Sequence, residues 1–279
     1  MKKAYVEITN RCNLRCAFCP GTKRAMRAMT TEEFAMVLDK LRPRVRYVYL
    51  HVMGEPLLHQ QLGELLGIAA AREMQVCITT NGTLLPQQTE TLLAARSLHK
   101  ISVSLHSFEG NSGAVAQERR YLEDVWGFAV RAAARGVICA LRLWNEGGME
   151  SRNGAILAFL REKTGQESWP EPRRGSFKLA ERLYLERAEK FDWPDLDAER
   201  TDTQFCYALR DQLGVLCDGT VVPCCLDHEG EISLGNLFSQ ELDEILEGPR
   251  AVALREGFSR RRPAEELCRR CGYATRFNK

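Results

Sequence analysis

No stretch of this chain is apolar for long enough to cross a bilayer, and the N-terminal MKKAYVEITN lacks the hydrophobic run of a secretory signal. A cytoplasmic location is the expectation. Charge of one sign is also scarce, with 39 Lys and Arg against 37 Asp and Glu and a net charge of +2. So small an excess gives no reason to expect a nucleic-acid or membrane partner, although the end of the chain is locally basic. There is no obvious short internal repeat. What remains is 279 residues, 44% hydrophobic, enough to bury a large core in one α/β domain or two smaller ones.

Cysteine is plentiful by contrast. Eleven are present, an odd number, and a reducing compartment disfavours structural disulfides. Nine of them cluster: Cys12, Cys16 and Cys19, then Cys206, Cys217, Cys224, Cys225, Cys268 and Cys271. Clustering of this kind points to metal ligands. Cys77 and Cys139 sit alone in apolar segments and read as small core residues.

From Ala4 to about Asn145, β-rich runs alternate with helical patterns. The runs are 4–9, 46–54, 75–82, 100–107 and 136–145, and a further strand is expected over 182–191. The helical stretch 30–41 opens on threonine caps with Glu in its first turn, and 61–74 reads as a second helix. Strict alternation implies βα units and a parallel sheet. The strands carry polar residues on one face: Glu7 and Thr9, His51, Thr79 and Asn81, Ser102, Ser104 and His106, and Arg142. A full or partial barrel with a polar lumen accounts for this, and the reactive end of such a barrel lies at the C-terminal ends of its strands. The cysteine loop follows the first strand directly. Residues 164–176 read as a loop, and QLGVLCDGTVVPC (212–224) reads as a hairpin with Asp218-Gly219 as its two-residue turn. Two short helical stretches follow, and the domain boundary is placed near residue 200.

Thiolates bind soft metals, and an iron–sulfur cubane takes four ligands. Cys12, Cys16 and Cys19 hold three corners and leave one iron open for a small molecule. A structural zinc site wants a fourth protein ligand, and no Cys or His lies between Cys19 and His51. This C-x3-C-x2-C, with Phe18 before its third cysteine, resembles the signature of the radical S-adenosylmethionine (SAM) superfamily. The companions fall in order: Met53-Gly54-Glu55-Pro56 resembles the family's GGEP segment with Met at its first position, Thr80-Asn81-Gly82 ends the third strand, and Ser102–Leu105 lies in the fourth.

The resemblance implies a partial (βα)6-type radical SAM barrel over 1–200 and a small C-terminal α+β domain over 201–279. It implies that the open iron of a [4Fe–4S] cluster is chelated by SAM, and that reduction releases a 5′-deoxyadenosyl radical. Backbone around Gly54 and Glu55 would meet the methionyl ammonium, Ser104 the ribose, Arg142 the SAM carboxylate and Phe18 the adenine, with Asn81 beside them. Each has a structural alternative: a strand-to-loop turn for Gly54, a turn contact for Asn81, a buried hydroxyl for Ser104, and an ion pair with Glu7 for Arg142.

Cys206, Gly219, Cys224 and the terminal Cys268-x2-Cys271 resemble the SPASM and twitch extensions of these enzymes, as does LGNLFSQELDEIL (234–246). Phe277 stands where a further cysteine of the full SPASM pattern is expected, so the resemblance implies a twitch domain with one auxiliary [4Fe–4S] cluster. Its ligands would be Cys206, Cys224, Cys268 and Cys271, with Cys217 and Cys225 spare. A zinc ribbon is the alternative for the same four thiols.

The reaction expected is the oxidation, of dehydrogenation type, of a small polar metabolite, as in the butirosin-pathway dehydrogenase type, with an external donor such as flavodoxin or ferredoxin. The alternative is a peptide or protein maturase; with the first strand beginning by Ala4, no leader-binding domain is expected before the barrel. A non-catalytic iron–sulfur or zinc protein is the remote alternative. The candidate proton acceptors are His51 and Glu7. Asp192 and Trp193 are candidates for the junction facing the auxiliary cluster.

Overall fold

A computed structural model describes residues 1–107 and 118–277. Its spine is a ten-stranded sheet. The strands are β1 (Lys3–Val6), β2 (Tyr47–Tyr49), β3 (Gln75–Thr80), β4 (Leu98–Ser104), β5 (Ile138–Glu146), β6 (Ser176–Ala180), β7 (Leu183–Glu189), β8 (Gln212–Val215), β9 (Thr220–Val222) and β10 (Gly235–Asn236). Their order is β10-β9-β8-β1-β2-β3-β4-β5-β7-β6. Every pairing from β8 through β1 to β7 is parallel, and antiparallel strands flank this run at both ends. The expected α/β partial barrel is thus present as an open curved sheet.

Helices α1 (Thr31–Leu41), α2 (Leu62–Ala71), α3 (Leu85–Ala94), α4 (Glu118–Ala134) and α5 (Asn153–Thr164) cover its outer face. Helix α1 shows why. Thr30 Oγ1 accepts from Glu33 N–H at 3.1 Å while Glu33 accepts from Thr30 N–H at 2.9 Å, so the first turn is capped from both sides. Its buried stripe of Phe34, Val37, Leu38 and Leu41 packs into the core shared with Val6, Val48 and Ile78, each such side chain contributing about 1.5–3 kcal/mol. The opposite face lines the lumen, and the register aligns its polar groups: Tyr5 beside Tyr49 beside Cys77 beside Lys100, and Ser104 beside Arg142 beside Glu186.

One local expectation holds and one changes. The loop expected over 164–176 is free of strand from Gly165 to Gly175, and the unassigned stretch after it forms β6, which pairs back onto β7 across Glu181-Arg182, where Arg182 takes φ +58°. The second hairpin closes with three loop residues instead of two. Leu216 N–H reaches Thr220 O at 2.8 Å and Gly219 N–H reaches Leu216 O at 2.9 Å, with Gly219 at φ +86°. This is a turn completed by a left-handed glycine, which leaves Cys217 in the loop. The region beyond residue 200 adds helices α6 (Leu242–Glu247), α7 (Pro249–Ser259) and α8 (Glu266–Arg269), and its strand β8 joins the barrel sheet at β1. No helix among the described residues is long and apolar enough to cross a membrane.

Candidate active site

The cysteine loop runs from β1 to α1 and is pinned at its neck. Thr9 Oγ1 donates to Arg27 O at 3.0 Å, Asn10 accepts from Arg27 N–H at 2.8 Å, and Asn10 Nδ2 donates to Ala25 O at 2.9 Å. Its tip is held by Arg24, whose guanidinium grips both oxygens of the fully buried Glu7 at 2.6 and 2.8 Å. Between these anchors, Leu14 N–H points at Cys12 Sγ at 3.5 Å, Cys16 Sγ faces Ser107 O at 3.7 Å, and Cys19 Sγ lies 3.9 Å from Met53 Sδ. Cys12 and Cys19 are exposed and Cys16 is half-buried. Three thiols on one loop fit the open-iron arrangement: they are accessible and held on a braced backbone.

Glu55, from the segment after β2, serves as a brace. Its carboxylate accepts from Leu57 N–H at 3.0 Å, Thr80 Oγ1 at 2.7 Å and Asn81 N–H at 2.7 Å. Asn81 in turn donates to Asn13 Oδ1 at 3.0 Å and accepts from Thr83, tying the end of β3 to the cysteine loop. Gly54 takes φ +77°, and a Cβ there would lie 2.3 Å from Thr9 O, so the close approach it permits is to the chain's own backbone. Gly54, Glu55 and Asn81 thus frame the loop from behind. Burial pushes the Glu55 carboxyl up to about 6, against three hydrogen bonds that favour its charged form. As pH rises from 4.5 towards 6 the unfolded chain releases this proton before the folded one does. Stability should therefore fall as pH rises through that window, towards a total loss of roughly 2 kcal/mol once pH is above both values. Urea unfolding of wild type and Glu55→Gln across the window checks it, because the variant loses this component of the slope.

The lumen opens into a cavity of about 640 Å³. Phe18, Ser104, Arg142 and His51 all line it, so four of the predicted site residues meet in one space. Phe18 stacks on His106 with centroids 5.0 Å apart, and Trp193 Nε1 donates to Phe18 O at 3.2 Å. Arg142 pairs with Glu186 at 3.2 Å, reaches Thr79 Oγ1 at 3.3 Å and lies over the Trp144 ring. Its partner is thus Glu186 on β7, and the expected alternative, Glu7, is committed to Arg24. Burial alone would raise the Glu186 carboxyl, but Arg142 and Lys100 (Nζ at 2.8 Å) more than offset it and hold it below the usual range.

Two corrections concern the proton acceptor. Glu7 does not line the cavity; besides Arg24 it accepts from Met53 N–H and Cys217 N–H, both at 3.1 Å, and has no lone pair facing substrate space. Its role is to fasten three loops together. His51 does line the cavity, but burial, with Arg142 and Lys3 nearby, pushes its ring down to about 3. It is neutral at neutral pH and a weak base, with Nδ1 unpartnered among the described residues. It suits a hydrogen-bonding contact better than proton abstraction.

The four C-terminal thiols predicted as auxiliary ligands come together. Cys206, Cys224, Cys268 and Cys271 line one small cavity of about 30 Å³, whose remaining wall is largely apolar: Pro194, Pro223, Ile232, Phe258 and Leu267 among others. Burial pushes the Cys206 thiol up to about 11, and Cys224 and Cys268 rise by the same cause, so iron must displace protons to bind. Among the described residues, no three His, Cys, Asp or Glu side chains are placed to share one metal ion; a cubane takes its thiolates at separate corners. Cys225 instead lines the large cavity, and Cys217 lies under Arg24 at 3.7 Å. The two cavities share a wall, since Cys206, Cys224 and Cys271 line both.

Residues 6–143 match the radical SAM superfamily and residues 206–272 match the SPASM iron–sulfur cluster-binding domain. The chain belongs to the radical SAM superfamily and carries a SPASM domain. Such an enzyme uses SAM with a [4Fe–4S] cluster, and its SPASM domain implies auxiliary iron–sulfur binding. Among curated relatives, the radical SAM enzyme is 24% identical to the antilisterial bacteriocin subtilosin biosynthesis protein AlbA of Bacillus subtilis, over 88% of this chain and 59% of AlbA. It therefore spans about three-fifths of that relative's length. Its fold is similar to that of BtrN in complex with AdoMet and 2-DOIA (TM-score 0.61, 18% identity, 96% of this chain and 92% of BtrN). It is also similar to Streptococcus suis SuiB bound to precursor peptide SuiA (TM-score 0.55, 14% identity, 99% and 73%).

Several site residues carry little or no sequence signal. Arg24 and Asn13 carry no motif of their own. Glu186 lies within a predicted strand, and its place beside Arg142 is set by a strand pairing that local pattern does not encode. Lys3 and Tyr5 did carry a signal, because strand alternation puts them on the same face as Glu7.

Proposed function

We propose that this radical SAM enzyme oxidises a small polar metabolite bound in the large cavity, with the four-cysteine site as an auxiliary [4Fe–4S] centre. The supporting observation is the shared wall: Phe18, Ser104 and Arg142 line the same space as Cys206, Cys224 and Cys271. When bound, SAM and its reduced cluster supply a 5′-deoxyadenosyl radical and the auxiliary cluster supplies an electron acceptor. The chain's own part is positional. In this reading Arg142, steadied by Glu186 and Trp144, receives the SAM carboxylate, Ser104 the ribose, and Phe18 the adenine, while the neutral His51 ring orients a substrate hydroxyl. Trp144 and Trp193 help to exclude water from the site.

Two relatives have names that favour a peptide substrate, since AlbA is a bacteriocin biosynthesis protein matching most of this chain and SuiB is bound to a precursor peptide. BtrN, whose chain this one covers almost fully, is bound to the small molecule 2-DOIA. The readings part experimentally. Anaerobic enzyme with SAM and dithionite is offered a panel of small hydroxylated metabolites, with hydroxy acids and sugar phosphates alongside polyols and aminocyclitols, and, separately, cysteine- and glycine-rich peptides. The expected result is a small-metabolite product lighter by two hydrogens, lost in Cys271→Ala together with about half of the iron. Mass loss confined to the peptides would overturn the small-molecule reading.

A further inference from the structure

Lys3, the first residue of β1, lines the cavity at the end remote from the cysteine loop, where β1 runs beside Gln212 of β8. Its Nζ donates to Tyr5 Oη at 3.0 Å and lies 5.1 and 5.2 Å from the ring centroids of Tyr5 and Tyr49. The other wall cations are accounted for. Arg142 is paired with Glu186, and Lys190 lies 3.7 Å from Asp192. Asp211, the acidic wall residue, pairs with Lys2 at 3.9 Å. Among the described residues no carboxylate stands within ion-pair distance of Lys3.

An ammonium drawn into a part-buried wall with no carboxylate in ion-pair contact is unfavourable; Asp211, shared with Lys2, acts on it only from beyond that distance, and two aromatic faces offset a further part of the cost. Tyr5 takes one of its three N–H donors, leaving two. The geometry points to Lys3 as the receptor for an anionic group of the substrate, a carboxylate or a phosphate, with Tyr5 holding the ammonium in place. This rests on the cavity being the substrate's. It narrows the substrate class to a polar metabolite with an acidic end, seated at Lys3 while its reacting carbon points towards Phe18 and Ser104. Burial lowers the Lys3 ammonium from its ordinary value, which makes a charged partner more valuable there.

The test is protection from acetylation by an uncharged N-hydroxysuccinimide ester, on reconstituted holoenzyme with SAM bound, read residue by residue by peptide mass spectrometry. Lys2, whose side chain is 81% exposed, is the internal control. Inorganic phosphate, acetate and succinate are the anionic probes and sorbitol the neutral one. At ten times its dissociation constant an anion should slow Lys3 acetylation about tenfold, leaving Lys2 unchanged and sorbitol without effect. Protection by phosphate alone assigns a phosphoryl group, and protection by the carboxylates assigns a carboxylate. Tyr5→Phe keeps the ring and should raise the half-protecting concentration about fivefold, the weight of one hydrogen bond. Lys3 that stays unlabelled, follows Lys2 under every anion, or is protected equally by sorbitol overturns the inference. A parallel 5′-deoxyadenosine assay on wild type separates the failures: SAM cleavage with unprotected Lys3 removes only the anion site, whereas no cleavage removes the reading beneath it.

Discussion

Gly54→Ala should destabilise the protein by about 2–5 kcal/mol, the sum of a left-handed alanine and a backbone overlap. The new Cβ would stand 2.3 Å from Thr9 O, 2.8 Å from Arg11 O and 2.9 Å from Asn10 C. All three are backbone atoms, so no rotamer change relieves the contact. The chain must instead part the turn after β2 from the neck of the cysteine loop, breaking the bond from Glu55 N–H to Arg11 O at 2.8 Å. That movement shifts the backbone carrying Cys12, and a second effect follows: reconstitution should leave the loop deficient in iron while the four-cysteine site still fills. Urea unfolding and iron analysis read the two effects separately. A cost below about 1 kcal/mol, outside the range expected for such overlap, would contradict this account of the turn.

Glu7→Ala is the second large effect, expected to cost about 3–5 kcal/mol because it leaves a buried guanidinium without its partner. Arg24 has only 14% of its side chain exposed, and the same change strips an acceptor from Met53 N–H and Cys217 N–H. Adding Arg24→Met to the variant should recover part of the loss, and the double-mutant cycle measures the pair directly. The outcome also decides between two roles. A catalytic base would give a variant as stable as wild type that still cleaves SAM but does not complete the oxidation. A fastening residue gives an unstable protein whose cysteine loop fails to hold iron. The saturated, fully buried carboxylate predicts the second.

Much of this architecture is readable in the residues because period and spacing carry it. The lumen showed itself as polar groups recurring on alternate strand positions, and Ser104, Arg142 and His51 do meet in one cavity. The four cysteines expected to hold an auxiliary cluster converge although Cys206 and Cys271 are far apart in sequence. What failed to show depends on chain reversal over distances that local pattern does not encode. Arg24 reaches Glu7 only because the loop folds back on its neck, and Arg142 finds Glu186 only after the chain has passed through α5 and β6. Strand β6 was missed for a chemical reason: its turn is Glu181-Arg182, with a left-handed arginine where a glycine or asparagine would have marked it. Gly54 and Glu55 were legible as important, but their motif does not say that the turn is shaped by backbone contact.

The most direct measurement is 5′-deoxyadenosine formation by anaerobic, iron- and sulfide-reconstituted enzyme given SAM and dithionite, compared with Cys16→Ala. Cys16 sits at the centre of the three-thiol loop, facing Ser107 O. The account predicts product from wild type and none from the variant, with the four-cysteine site still loaded. Equal product from both, or none from wild-type enzyme shown to carry both clusters, would contradict it.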